Sequence, residues 1–160
     1  ATILHLFNHG ITKGAIFMLL GLVALVMGGT SLSRIQGLGK RMPLTSLGMV
    51  ICGLSLIGVP GTAGFISKWY LLLAALEQGQ WWLVFLILLS SLLAVAYVWR
   101  FVEAAYFREP REDLDAKATV PWSMALPAAL LVAATVYFGL STAFTVGSAS
   151  QAATFLMGVR

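Results

Sequence analysis

Between Pro43 and Leu76 the chain carries a single formally charged side chain, Lys68, in a stretch long enough to lie in hydrocarbon. Charge at bilayer depth costs about 2.5–3.5 kcal/mol even on a lenient insertion scale, so an ionisable residue there marks a functional site by default. Immediately before it run Gly58, Val59, Pro60, Gly61, Thr62, Ala63, Gly64 and Phe65, a poor helix-forming segment. This predicts a helix broken at Gly58, Pro60, Gly61 and Gly64, with freed amides and carbonyls that must face protein or a hydrated cavity. Discontinuous helices of this kind build ion sites near the midplane of transporters. The competing reading is a tight turn between two spans, with Lys68 near an interface.

Of the 160 residues, 59% are hydrophobic and only 10% are charged, and the mean hydropathy is +0.92. Soluble domains carry about 25% charged residues, so an all-α integral membrane protein is expected. A crossing helix needs about 20 residues, which leaves room for about five. The pattern places helices at about 2–28, 44–58, 62–77, 80–106 and 121–141, followed by a small-residue tail or short interfacial helix at 142–160. Gly28 and Gly29 stop the first helix, and Pro43 opens the next. Trp81 and Trp82 at one end of the fourth, with Tyr97, Trp99 and Tyr106 towards the other, are placed as interfacial belts. Pro127 predicts a kink or a late start in the last. The chain opens on Ala1 and goes directly into apolar helix, without the flanks of a signal peptide, so it reads as part of something longer.

The formal charge of +4 sits in the connections, seven charged side chains falling within 107–120, rather than along a stripe suited to nucleic acid. Connections 30–43 and 107–120 each hold three Lys or Arg, so the positive-inside rule gives no orientation. Cys52 is the only cysteine and excludes a disulfide or multi-thiolate metal site within the chain. With no phosphate loop, nucleophile–base pair or metal-ligand cluster, the residues encode no catalytic centre and imply no cofactor or metal.

His5, His9 and Lys13 recur every four residues. Four residues advance a helix by about 400°, so the three share one face as a ladder about 12 Å long. A file of groups that take and release protons inside a membrane reads as a relay. Asn8 and Thr12 flank it, and Thr62 and Ser67 add hydroxyls around the break, as auxiliary polar positions. The bland alternative is satisfied interfacial histidines with a snorkelling lysine. A bis-histidine haem would require a partner chain, since both histidines lie on one helix. Arg100 and Glu103, three apart, have the spacing of an ion pair and read as an interfacial anchor.

The run from His5 to Gly21, His-Leu-Phe-Asn-His-Gly-Ile-Thr-Lys-Gly-Ala-Ile-Phe-Met-Leu-Leu-Gly, resembles the histidine–lysine helix of antiporter-like proton-conducting subunits. The stretches Gly37 to Thr45 and Gly53 to Trp69 match the next landmark of that family. It is shared by Mrp-type multisubunit Na+/H+ antiporters, respiratory complex I and membrane-bound hydrogenases. The resemblance implies inverted repeats of five helices, each with a broken helix carrying a key ionisable residue. Lys68 then matches the lysine of the second broken helix, Lys13 the lysine leading towards an exit path, and His5 and His9 the accompanying histidines. Ser67-Lys68-Trp69-Tyr70, with Glu77 and the Tyr97–Arg100 region, looks most similar to D-type subunits of the antiporters. One complex I relative has glutamate where Lys68 stands, but others keep lysine.

The resemblance thus implies proton translocation within a monovalent cation/proton antiporter, with Na+ as the cation, other membrane subunits as partners and the bacterial inner membrane as location. The first alternative is the corresponding subunit of complex I or a hydrogenase, in which a partner chain does the redox chemistry. The second is a structural subunit whose buried charges only fix packing. The family's earlier repeat, with its glutamate and lysine pair, is missing, so this stretch alone is not expected to transport.

Overall fold

The computed structural model describes residues 1–110 and 120–158, so most of the charged 107–120 connection lies outside the described residues. Within them the protein is all helix: α1 (Thr2–Met27), α2 (Leu38–Arg41), α3 (Pro43–Ile57), α4 (Ala63–Glu77), α5 (Trp81–Val102), α6 (Trp122–Leu140) and α7 (Ala143–Met157). A π-helical turn over Glu103–Phe107 extends α5. Three segments are long and apolar enough to cross a membrane: Thr2–Met27, Trp81–Phe107 and Trp122–Leu140. Helices α3 and α4 have 15 residues each, about 22 Å at 1.5 Å per residue, short of a hydrocarbon core about 30 Å thick.

Helix α1 is the centre of the bundle and packs against α3, α4 and α6, while α5 lies on α3 and α4. Its buried face runs Leu4, Asn8, Thr12, Ala15, Leu19, Leu22, Val23, Val26 and Met27, a stripe at helical spacing. The chemistry of that stripe changes partway along. From Ala15 onward it enters an apolar cluster with Ile35, Leu38, Met42, Cys52, Ala104, Ala105 and Ala128. Before Ala15 it carries Asn8 and Thr12, which face the junction of α3 and α4.

Lipid tails are as apolar as leucine, so close packing and hydrogen bonds must hold membrane helices together. Small residues mark the contacts accordingly. Gly53 of α3 receives Val98 of α5, and a side chain at Gly139 of α6 would collide with the Thr62 backbone. Much of α5 faces outward, burying only Ala94 and Val98 while exposing Phe85, Leu88, Leu92 and Trp99.

Helix α1 ends on Gly28 in the left-handed conformation, φ 69°, and the Arg34 guanidinium donates to the Met27 carbonyl at 3.2 Å. Pro43 occupies the first turn of α3, where its missing N–H leaves nothing unpaired. Helix α6 starts at Trp122 and carries Pro127 inside it, so of the two expected effects of the proline the late start is excluded. One sequence expectation needs correction. Glu103 pairs with Arg108 at 2.8 Å instead of Arg100, because the π turn brings positions five apart onto one side.

Candidate functional site

Helix α3 stops at Gly58, whose φ of 93° is open to glycine and strained for other residues. The Gly58 and Val59 amides both turn back to the Leu54 carbonyl, at 2.9 and 3.0 Å. The carbonyls of Leu56 and Ile57 therefore have no helical donor and form the negative end of α3. Across the break, Thr62 donates its hydroxyl to the Val59 carbonyl at 2.7 Å, and α4 begins at Ala63. One turn into α4, Lys68 reaches back to the orphaned end. Its Nζ donates to Leu56 O at 2.6 Å, Ile57 O at 3.2 Å and Ser91 Oγ of α5 at 2.7 Å. An ammonium has three donors, and all three are used.

The polar half of α1 clamps the break from the other side. Gly64 N–H donates to Ser55 Oγ at 3.0 Å, and Ser55 Oγ is 3.1 Å from Thr12 Oγ1. Thr12 donates its own hydrogen to the Asn8 carbonyl at 2.9 Å, so Ser55 is the donor in that pair. Asn8 Nδ2 donates to the Ala63 carbonyl at 2.9 Å. With Asn8, Thr12 and Ser55 all buried, the bonds from Asn8 to Ala63, from Ser55 to Thr12 and from Gly64 to Ser55 hold α1, α3 and α4 in register. Ser55→Ala should therefore cost about 1–3 kcal/mol by stranding the Gly64 amide. Thermal unfolding of the purified full-length complex reads this; an unchanged profile would mean that the amide finds another acceptor.

Beside the clamp lies a cavity of about 190 Å³ lined by the ladder residues His5, His9 and Lys13 together with Lys68. Thr12, Ser55, Ser67, Ser90 and Tyr97 add hydroxyls to its wall. At about 30 Å³ per water, it has room for about six. Ser67 donates to the Gly64 carbonyl at 3.2 Å, and His5 Nδ1 lies 3.1 Å from Ser67 Oγ. His5 Nδ1 is thereby engaged by Ser67, and Nε2 is left for another partner. The His5 and His9 rings stack with centroids 5.4 Å apart. His9 and Lys13 lie on the exposed side of α1.

The structure thus gathers His5, His9, Lys13, Thr12, Ser67 and Lys68 around one cavity, with Asn8 in the clamp behind it. Thr62 serves the turn at the break, and Arg100 and Glu103 do not line the cavity. Three site residues carried no signal in the ladder or the break: Ser55, Ser90 and Ser91. The serine pair had one, being the only polar residues between Trp82 and Tyr97. Among the described residues, no three His, Cys, Asp or Glu gather to hold a metal ion.

The chain is thus a helical membrane bundle built around a break, with two lysines and two histidines on a shared polar cavity. Residues 1–94 match the family described as NADH:quinone oxidoreductase/Mrp antiporter, TM, and the chain belongs to that integral membrane family. It is 40% identical over 136 residues to NADH-quinone oxidoreductase subunit N of Desulforudis audaxviator, covering 81% of this chain and 27% of the relative. It is 32% identical over 155 residues to the D-type subunit of the Na(+)/H(+) antiporter of Bacillus subtilis, covering 97% of this chain and 31% of that protein. Among solved structures, a chain of the archaeal membrane-bound sulfane sulfur reductase, a respiratory membrane complex, superposes with a TM-score of 0.74 at 34% identity, over 86% of this chain and 28% of that one. A chain of the Mrp complex from Dietzia sp. DQ12-45-1b shares the fold, with a TM-score of 0.77 at 22% identity over 86% of this chain and 34% of that one. The chain spans between a quarter and a third of the length of these two curated relatives.

Proposed function

We propose that this chain is the C-terminal membrane bundle of a proton-translocating subunit in a multisubunit monovalent cation/proton antiporter of the bacterial inner membrane, with Na+ as the exchanged cation. In this reading α1, α3, α4, α5 and α6 are five helical segments in the membrane, α3 and α4 being the two halves of one discontinuous helix, and the bundle is part of a five-helix inverted-repeat fold. Lys68 is the proton carrier, and His5, His9 and Lys13 pass protons between it and one membrane face. The observation that carries this is the setting of Lys68. Among the described residues its ammonium is held by two carbonyls and a hydroxyl, beside a cavity it shares with the ladder. Neutral partners let the lysine exchange its proton without stranding a buried counter-charge. Asn8, Thr12 and Ser55 hold the geometry and do not carry protons.

The redox-linked alternative is favoured by the 40% identity to a subunit N of NADH-quinone oxidoreductase. There this chain still moves protons, and partner chains hold the redox centres. Inverted membrane vesicles containing the full-length subunit with its partners separate the two. Added Na+ should collapse a preformed pH gradient without any electron donor. Proton pumping that appears only with NADH or another donor, and no response to Na+, would overturn the antiporter reading in favour of the redox-linked one.

A further inference from the structure

Lys68 makes three hydrogen bonds, and none goes to the histidine ladder. His5, the ladder residue nearest the break, spends its Nδ1 contact on Ser67. A proton on Lys68 is thus docked against the end of α3, and transfer into the cavity requires at least one of those three bonds to open. Two acceptors are backbone carbonyls of a helix terminus, available in any sequence that breaks there. The third is a side-chain choice made on a different helix. Ser90 and Ala94 face the cavity, whereas Ser91 lies one position round α5 and meets the ammonium directly.

We infer that Ser91 is a positioning residue for proton transfer: with the Leu56 and Ile57 carbonyls it forms a three-acceptor latch that holds the Lys68 ammonium against the end of α3, so that Ser91 sets how readily Lys68 is released to the ladder. The inference rests on Lys68 being the proton carrier. The groups facing Lys68 leave Ser91 as the adjustable element. From α1, His5, His9 and Lys13 line the cavity; from α5, Tyr97 does. Helix α3 brings carbonyls and Ser55, its Cys52 being in the apolar cluster, and no described residue of α6 lines the cavity. No carboxylate from these elements lines the cavity to take over the latch.

A hydrogen bond to a charged group contributes enough to change a two-state population by about tenfold or more. Ser91→Ala, and Ser91→Cys as a near-isosteric variant with a weak acceptor, should both weaken the protonated form of Lys68 more than the neutral one, since a hydrogen bond to a charged group is the stronger. The readout is the initial rate of proton transport against pH, in vesicles carrying the full-length complex. Removing an acceptor favours the neutral amine, so the midpoint of the profile should move towards acid by about one unit, the equivalent of a tenfold change. Ser91→Thr keeps the hydroxyl and should restore the wild-type profile. A serine that only fills space would let alanine or cysteine lower or preserve the rate at all pH values alike, and that outcome overturns the latch. If neither Ala nor Cys moves the midpoint while Lys68→Gln abolishes transport, the latch is wrong and the carrier reading stands. If Lys68→Gln transports normally, both fall.

Discussion

Lys68→Gln is expected to abolish proton transport while leaving the complex assembled. Glutamine keeps an amide that can donate to the Leu56 and Ile57 carbonyls, so the open end of α3 remains paired. What it lacks is a proton to exchange. A positioned acid–base group contributes roughly 10²–10⁴-fold, so the initial rate in vesicles should fall by about that factor. Lys68→Arg keeps the charge but holds its proton at any physiological pH, and should be equally inactive. Lys68→Ala removes the donors as well, leaving two part-buried carbonyls without their partner, at up to about 1–3 kcal/mol each where water does not replace it. It should therefore lose both transport and thermal stability, where glutamine loses transport alone. Wild-type rates from an assembled glutamine variant would end the proposal that Lys68 carries the proton.

Gly64→Ala should be the most disruptive single methyl in the bundle. A Cβ at this position would run into the Ser55 carbonyl, a backbone atom that cannot rotate away. Helix α4 would have to retreat from α3, and the retreat breaks the Gly64–Ser55 bond and draws Lys68 from its carbonyls. Overpacking of this kind costs about 1–3 kcal/mol, to which the broken clamp adds. Loss of assembled complex on size exclusion, or a clear drop in its unfolding temperature, is the expected result. A stable, active Gly64→Ala variant would show that the close contact between α3 and α4 is dispensable.

Much of the bundle could be read in advance because membrane helices declare themselves by length and by the scarcity of charge. The ladder was legible for a related reason: a four-residue period places His5, His9 and Lys13 on one face whatever α1 packs against. Glu103 was misjudged for want of local information, since its pairing depends on a π turn that no spacing rule anticipates. Ser55 had no distinguishing mark, because hydroxyls are common in membrane helices, and Ser91 stood out only as half of a polar pair in an apolar span; their neighbours give both a role. Asn8 and Thr12 were legible as polar positions beside the ladder, but not as parts of a clamp.

The amino-acid sequence alone determined that this chain belongs in a bilayer, that a lysine sits beside a glycine–proline break, and that two histidines and a second lysine share a helix face. Each follows from local chemistry: hydropathy, the conformational range of glycine and proline, and the pitch of a helix. Tertiary structure alone decided that Lys68 turns back onto the end of α3, that Ser91 completes its coordination, and that His5 bonds to Ser67 instead of Lys68. Those outcomes depend on which helix ends and faces come within about 3 Å of one another, and side-chain packing across α1, α3, α4 and α5 sets that distance.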